Sequence, residues 1–298
     1  MSASQQSATQ QTVSAPQHPP TKPTWTLSGF GDEIDPDPVV QLAVLSSLGA
    51  SYVEVRSAWG TNIVDLDERQ LDTLAQTITD RGFGVSAIAS PIGKVDVSAP
   101  ISAELARLDM AIAAADMLGT RHIRVFSFYR AEGRTAADIR DDVLSHMKAL
   151  AERAGAAGKV LVHENEKDIY GDTPDRCLDI VDHVGLPSLR LAWDNANFVQ
   201  VGVKPFTDGF AMLAPHLEYL QVKDALFADA SVVPAGEGDG ELPETVQALV
   251  DLGYDGFASL EPHLSDYTHL GGFSGPAAFG RAARAFRTLT DRAGVVLA

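Results

Sequence analysis

The feature that constrains this chain most is the alternation of short apolar runs with longer segments of helical periodicity. Between the apolar runs, apolar residues recur at the i, i+3 and i+4 spacing of amphipathic helices. Eight such strand–helix units in about 270 residues is the count of a (β/α)8 barrel. The sequence therefore predicts a single-domain α/β protein, a TIM barrel. The predicted strands cover residues 24–30, 51–56, 84–90, 122–128, 160–164, 189–194, 217–224 and 256–261.

Glycines and a polar N-terminal segment mark the predicted boundaries. Gly49, Gly82, Gly119 and Gly155 follow helical patterns, where a C-terminal cap places glycine. Residues 1–24 consist mainly of Gln, Ser, Thr and Pro, so we expect a disordered tail followed by the barrel over residues 25–298. A doubly wound open sheet is the alternative, but no GxGxxG motif follows the first strand.

Charge and composition exclude several classes of protein. The formal net charge of -17 opposes binding to nucleic acid or to an anionic membrane surface. No apolar run approaches the roughly 18 residues needed to span a bilayer. Cys177 is the single cysteine, which excludes internal disulfides and thiolate-rich metal sites. We therefore expect a cytoplasmic protein.

Polar side chains gather at the ends of the last four predicted strands, in "HENE", "WDNAN", "QVKD" and "LEPH". Side chains alternate between the two faces of a strand, so one set points inward while His163 faces the helices. Inward carboxylates on adjacent strands repel each other unless a cation lies between them. Oxygen ligands suit Mn²⁺ or Mg²⁺ better than zinc. Taken singly, a carboxylate at a strand end is more often a helix cap or an ion-pair partner than a metal ligand. The inward set comprises Glu164, Glu166, Asp194, Gln221, Lys223 and Glu261.

The motifs "HENE", "WDNANF", "VKDA" and "SLEPH" together resemble the xylose-isomerase-like sugar phosphate isomerase/epimerase family. That family holds one divalent metal ion through Glu, Asp, His and Glu from strands five to eight. The resemblance implies a metal site of Glu164, Asp194, Gln221 and Glu261, with Mn²⁺ as the expected cofactor and Mg²⁺ or Co²⁺ as alternatives. Gln221 replaces the usual His, and Asn197 stands where ketose 3-epimerases have a His.

The chemistry implied by the resemblance is isomerisation or epimerisation of a sugar. A base removes the proton beside a carbonyl, and an enediolate forms.

Glu33 is expected to cap the first helix, and Glu54 and Arg56 share an inward face and are expected to pair. The candidate catalytic residues are Glu164, Glu166, Glu261 and His263, and the candidate substrate contacts are Arg56, Asn197 and Lys223.

The substrate expected from this pattern is a small sugar or glycoside, and a homo-oligomer or a small partner subunit is compatible with it. The glycine-rich loop 233–243 is acidic, which makes it a poor phosphate site and favours an unphosphorylated substrate. Three other functions remain open. The chain can be a catalytic subunit that cleaves 3-oxo-C-glycosides, a non-catalytic sugar-binding barrel, or an AP endonuclease, which the acidic charge opposes.

Overall fold

The computed structural model describes residues 22–130, 132–265 and 274–298, and it contains the eight predicted strands. The barrel strands are β1 Thr24–Gly29, β2 Tyr52–Val55, β3 Gly84–Ala89, β4 His122–Val125, β5 Val160–Glu164, β6 Leu189–Asp194, β7 Leu217–Val222 and β8 Phe257–Leu260. The main helices are α1 Pro38–Ser47, α2 Glu68–Asp80, α3 Ile101–Met117, α4 Ala136–Ala156, α5 Pro174–Val184, α6 Asn195–Gln200, α7 Leu242–Asp251 and α8 Gly275–Arg292. Short helical turns follow α6 at Pro205–Phe210 and Ala211–Leu213.

The eight strands close into a parallel barrel. Strands β2 to β8 are hydrogen-bonded in chain order, and β8 pairs with β1 in parallel. A parallel bridge between Phe30 and Glu54 connects the end of β1 to β2. The short strand Val296–Leu297 adds to the start of β1. The predicted (β/α)8 architecture is confirmed, with every strand end within three residues of its predicted position.

Local capping chemistry marks where several helices begin and end. Asp37 accepts a hydrogen bond from the Val39 amide at the start of α1, and α2 begins with a capping box formed by Asp67 and Gln70. Of the predicted C-terminal caps, Gly49, Gly82 and Gly119 have positive φ angles of 83°, 70° and 71°. The prediction for Gly155 was wrong. Helix α4 continues past Gly155 to Ala156. Of the two glycines Gly155 and Gly158, only Gly158 adopts the left-handed conformation (φ 69°), and it is the one that follows the helix end.

The barrel interior below its mouth is polar, whereas branched apolar side chains usually fill a barrel of this type. The Tyr219 hydroxyl lies 2.9 Å from Glu54 Oε2 and 2.8 Å from Ser86 Oγ. Ser86 Oγ also lies 2.7 Å from Ser28 Oγ. All four side chains are fully buried. A satisfied polar network of this kind holds its members in fixed orientations.

Residues 1–21 of the predicted tail lie outside the described residues, and β1 begins at Thr24. Among the residues that the structure describes, no helix is both long enough and apolar enough to cross a bilayer.

Candidate active site

Three carboxylates converge at the C-terminal mouth of the barrel. Glu164 ends β5, Asp194 ends β6, and Glu261 directly follows β8. All three are at most 2% exposed, and one oxygen from each lies within 4.8 Å of the others. The strand-end pattern therefore brings these three predicted ligands together.

Two cationic side chains lie between these carboxylates. Lys223 Nζ is 3.0 Å from both Asp194 Oδ2 and Glu261 Oε2. Arg124 Nη1 is 2.8 Å from Glu164 Oε2. Although burial alone would raise it, the pKa of Glu261 is held well below its usual range by Lys223, His263 and Arg56. Glu261 is therefore ionised at neutral pH.

Negative charge nevertheless exceeds positive charge at the mouth. Burial raises the pKa of Asp194 to about 7 and that of Glu54 to about 7, so added positive charge would favour the ionised form of both. Counting every carboxyl group and His263 as charged, the described residues of the mouth, together with Glu54 in the layer below it, carry a formal excess of two negative charges. The carboxylates counted are Asp32, Glu33, Glu54, Glu164, Glu166, Asp194 and Glu261, and the permanent cations are Arg56, Lys94, Arg124 and Lys223.

Gln221 supplies a fourth oxygen beside this cluster. It lies opposite Asp194 in the pairing of β6 with β7. Its Nε2 donates to Glu54 Oε1 at 3.3 Å, and its buried Oε1 has no hydrogen-bond partner among the described residues. Asp194 Oδ2 likewise accepts no hydrogen bond from a described residue and has only the charge contact with Lys223. Buried oxygens without donors are what a bound cation would satisfy.

The donor set fits a hard divalent cation. Opposite oxygens around an octahedral ion with ligands at about 2.1 Å lie about 4.2 Å apart. The three carboxylate oxygens, within 4.8 Å of one another, need only small side-chain shifts to share one ion. Acidic clusters at this mouth could thus bind a metal. A second group of Glu33, Glu261 and His263 meets the same distance limit.

Two asparagines fix the ends of β5 and β6. Asn197 Nδ2 donates to Glu164 Oε1 at 3.0 Å and to the Asn165 carbonyl at 2.9 Å. Asn165 exchanges two hydrogen bonds with the Asp194 backbone, of 2.9 and 3.0 Å. Asn197, predicted as a substrate contact, lies against a carboxylate of the cluster, where it orients Glu164.

A pocket of about 250 Å³ opens beside the carboxylates. Pockets for drug-sized ligands measure roughly 300–1,000 Å³, so this one suits a smaller molecule. The predicted residues Arg56, Glu166, Glu261 and His263 line it, whereas Lys223 and Asn197 are not among its lining residues. The other lining residues are Asp32, Ser57, Asn62, Ala89, Pro91, Lys94, Arg124 and Phe126.

His263 is held tightly at the rim of this pocket. Its backbone has a positive φ of 44°, an unusual conformation for a residue other than glycine. Its amide donates to Glu33 Oε2 at 2.9 Å, and its Nε2 lies 2.9 Å from Glu33 Oε1 and 3.3 Å from Glu261 Oε1. Against the effect of burial, these two carboxylates raise the pKa of His263 to about 9. The expectation that Glu33 caps α1 was wrong, because Asp37 is the N-cap.

The expected pairing of Glu54 with Arg56 was also wrong. Arg56 Nε lies 2.8 Å from Asp32 Oδ2 and its Nη1 lies 3.1 Å from Glu261 Oε1. Glu54 instead accepts from Tyr219 and Gln221. Alternation along β2 gives the face of a side chain but not its height in the barrel, and the two side chains lie in different layers.

Sequence reasoning missed two cations at the mouth. Arg124 lies in an apolar strand, which was a usable signal, because a buried charge requires a partner. Lys94 comes from a loop whose path the sequence does not reveal. Its Nζ lies 3.1 Å from Glu166 Oε2 and 4.2 Å from the centre of the Phe126 ring.

The glycine-rich loop after β7 wraps around a buried carboxylate. Asp224 accepts hydrogen bonds from the amides of Gly236, Gly238 and Gly240, at 2.8 to 3.1 Å, and from Ala225. Amides that could hold a phosphate are thus already used inside the protein. This agrees with the expectation that the loop is not a phosphate site.

Comparison with known proteins gives the family. The model of the xylose isomerase-like TIM barrel family matches residues 42–289, most of the chain. The chain belongs to that family. A search among curated proteins found no match.

Solved structures share the fold of this xylose isomerase-like protein at low sequence identity. A D-tagatose 3-epimerase-like protein is 16% identical with a TM-score of 0.74, covering 90% of this chain and 98% of its own. The probable 3-DHS dehydratase of Bacillus anthracis is 17% identical with a TM-score of 0.69, covering 89% and 98%. A xylose isomerase-like protein of Mycobacterium smegmatis in complex with magnesium is 17% identical with a TM-score of 0.67, covering 92% and 98%.

Proposed function

We propose that this protein is a divalent-metal-dependent sugar isomerase or epimerase that removes a proton beside a carbonyl and works through an enediolate. The observation that carries the proposal is the convergence of three buried carboxylates and a donor-free Gln221 oxygen beside a small pocket. The names of the solved relatives agree with it, since one is D-tagatose 3-epimerase-like and one holds magnesium.

The metal would be held by Glu164, Asp194, Gln221 and Glu261, and Mn²⁺ is our preferred ion because all four donors are oxygen. When bound, such an ion acts as a Lewis acid that polarises the substrate carbonyl and makes the neighbouring C–H more acidic. Lys223 Nζ lies 3.0 Å from a carboxylate oxygen of Asp194 and 3.0 Å from one of Glu261. Its positive charge reduces the repulsion between these two carboxylates.

Proton transfer is assigned to groups that line the pocket from different strands. Although burial would raise it, the pKa of Glu166 is lowered by Lys94, so Glu166 is ionised and can act as a base. His263, with a pKa of about 9, is protonated at neutral pH and can donate a proton from the side of Glu261. If one group removes the proton and the other returns it to the opposite face of the same carbon, the stereocentre is inverted, which is epimerisation. Return of the proton to the neighbouring carbon of the enediolate gives isomerisation. Glu164 and Glu261 remain candidate bases as well as ligands.

The charge arrangement favours a neutral, hydroxyl-bearing substrate. Each described cation that lines the pocket already contacts a carboxylate of the protein, and segment 266–273 contains no Lys or Arg. Asp32 Oδ1, by contrast, is buried and accepts no hydrogen bond from a described residue. A sugar hydroxyl can donate to it, whereas a phosphate would meet repulsion.

Exchange of the substrate proton with solvent tests the proposal. The Mn²⁺-loaded protein is incubated in D₂O with a panel of free ketoses, their phosphates and a 3-oxo-C-glycoside, and products are followed by NMR. We expect deuterium at the carbon beside the carbonyl of a free ketose, together with its epimer or isomer. Glu166→Gln should reduce the exchange about 10²–10⁴-fold, the usual contribution of one acid–base group. Glu152→Gln, on the exposed surface of α4, is the matched control and should not change it.

Other outcomes would select other functions. Release of the aglycone without exchange of ketose protons would favour the 3-oxo-C-glycoside lyase. Turnover restricted to phosphorylated sugars would contradict the argument from charge. Sugar binding without exchange or cleavage, in protein that holds its metal, would favour the non-catalytic barrel.

A further inference from the structure

An amide ligand raises a problem that a carboxylate does not. A Gln side chain presents oxygen or nitrogen to a cation depending on how its amide is turned, and only the oxygen can coordinate. Something in the protein must therefore select one orientation of Gln221.

Glu54 is placed to make this selection. It reaches Gln221 across the barrel from β2, and its Oε1 accepts from Gln221 Nε2 at 3.3 Å. Because Glu54 Oε1 accepts from the amide nitrogen, the amide oxygen of Gln221 faces away from Glu54. Gln221 Oε1 is the atom left without a donor in the described structure.

Glu54 is itself fixed by the interior network. Its Oε2 accepts from the Tyr219 hydroxyl at 2.9 Å, and that hydroxyl also lies 2.8 Å from Ser86 Oγ. Glu54 is fully buried, and neither of its carboxylate oxygens lacks a hydrogen-bond partner. A carboxylate whose hydroxyl partner is itself held by Ser86 on β3 has little freedom to follow a turning amide.

We propose that Glu54 is a positioning residue that locks the Gln221 amide with its oxygen toward the divalent cation. The inference rests on the metal site of the proposed function. Glu54 touches neither metal nor substrate and acts only through Gln221. Groups that orient a metal ligand in this way typically change metal affinity by 10–100-fold when removed.

Two variants separate orientation from charge. Glu54→Gln keeps the length of the side chain but loses the charge and replaces one acceptor oxygen by an amide donor, which can pair with the Gln221 oxygen. Glu54→Asp keeps the charge, but its shorter side chain withdraws the acceptor from Gln221. We measure Mn²⁺ affinity by isothermal titration calorimetry. Positioning predicts a loss of at least about tenfold for both variants, whereas a charge effect alone predicts a loss for Glu54→Gln and parent-like affinity for Glu54→Asp.

The Gln221→Ala background is the internal control. Without the amide there is nothing to orient, so Glu54→Asp, which keeps the charge, should cause no further loss of affinity there. Circular dichroism of every variant verifies folding.

Three results would overturn the positioning role of Glu54. Loss of affinity in Glu54→Gln alone, with Glu54→Asp at the parent's affinity, would overturn positioning in favour of a charge effect. Parent-like affinity in both Glu54 variants, with tight binding by the parent, would also overturn it while leaving the proposed function intact. Failure of the parent itself to bind Mn²⁺ would overturn the metal site and the inference together.

Discussion

Replacing Glu261 by Gln is the perturbation whose consequences the structure defines best. Glu261 lies 3.0 Å from Lys223 Nζ, 3.1 Å from Arg56 Nη1 and 3.3 Å from His263 Nε2. Glu261→Gln keeps the size of the side chain but removes the negative charge that these three cations contact. It also removes one anionic ligand of the proposed metal site.

Two magnitudes follow from these contacts. Removing one partner of a buried ion pair costs about 3–5 kcal/mol, so the metal-free variant should be less stable than the parent by an amount of that order. For the parent, Mn²⁺ at 100 times its dissociation constant should add about 2.7 kcal/mol. The variant, with weakened binding, should gain less than about 0.5 kcal/mol at the same Mn²⁺ concentration.

Urea unfolding with Mn²⁺ and with EDTA measures both quantities. Glu218→Gln is the matched control, because Glu218 also pairs with buried His122 and with Arg121 but lies at the N-terminal end of β7. It should lose stability and keep the full Mn²⁺ increment. An equal Mn²⁺ increment in Glu261→Gln and the parent would refute Glu261 as a ligand.

Three further predictions use other parts of the molecule. Gln221→His should shift the metal preference toward Co²⁺ or Zn²⁺, and an unchanged profile in competitive metal-binding assays would argue against Gln221 as a ligand. Burial lowers the pKa of His163 to about 3, below its unfolded value of about 6.5, so the unfolded state takes up the proton first and stability falls as pH decreases. The parent should therefore lose about 2 kcal/mol from this residue between pH 7.5 and pH 5, and the fall should be smaller by that amount in His163→Gln in urea unfolding. Asp224→Ala leaves three glycine amides without their acceptor and should speed hydrogen exchange in the 233–243 loop, whereas parent-like protection there would disprove the role of Asp224.

The barrel could be predicted from sequence because each strand is a short apolar run between helical patterns with clear capping signals. The convergence of Glu164, Asp194 and Glu261 could also be predicted, since parallel barrel strands bring their C-terminal ends to one rim. Both inferences depend on local pattern and on the two-residue period of a strand.

The partners of these residues could not be predicted in the same way. Lys94 reaches Glu166 from a loop, and His263 meets Glu33 where the segments after the neighbouring strands β8 and β1 come together, contacts between residues 72 and 230 positions apart. Glu54 and Arg56 share a face but lie at different heights in the barrel. Glu54 therefore pairs with residues of β7, whereas Arg56 pairs with residues that follow β1 and β8. The Gly155 error has a similar origin, since sequence marks a glycine but not the φ angle that it adopts.

The most direct test of the proposed metal site is the anomalous diffraction of a crystal soaked in Mn²⁺. We expect one strong peak with Glu164, Asp194, Glu261 and the Gln221 amide oxygen each at about 2.0–2.3 Å. A mouth without a peak, with Lys223 Nζ still 3.0 Å from Asp194 and Glu261, would contradict it. A peak held only by Glu33 and His263 would contradict it equally.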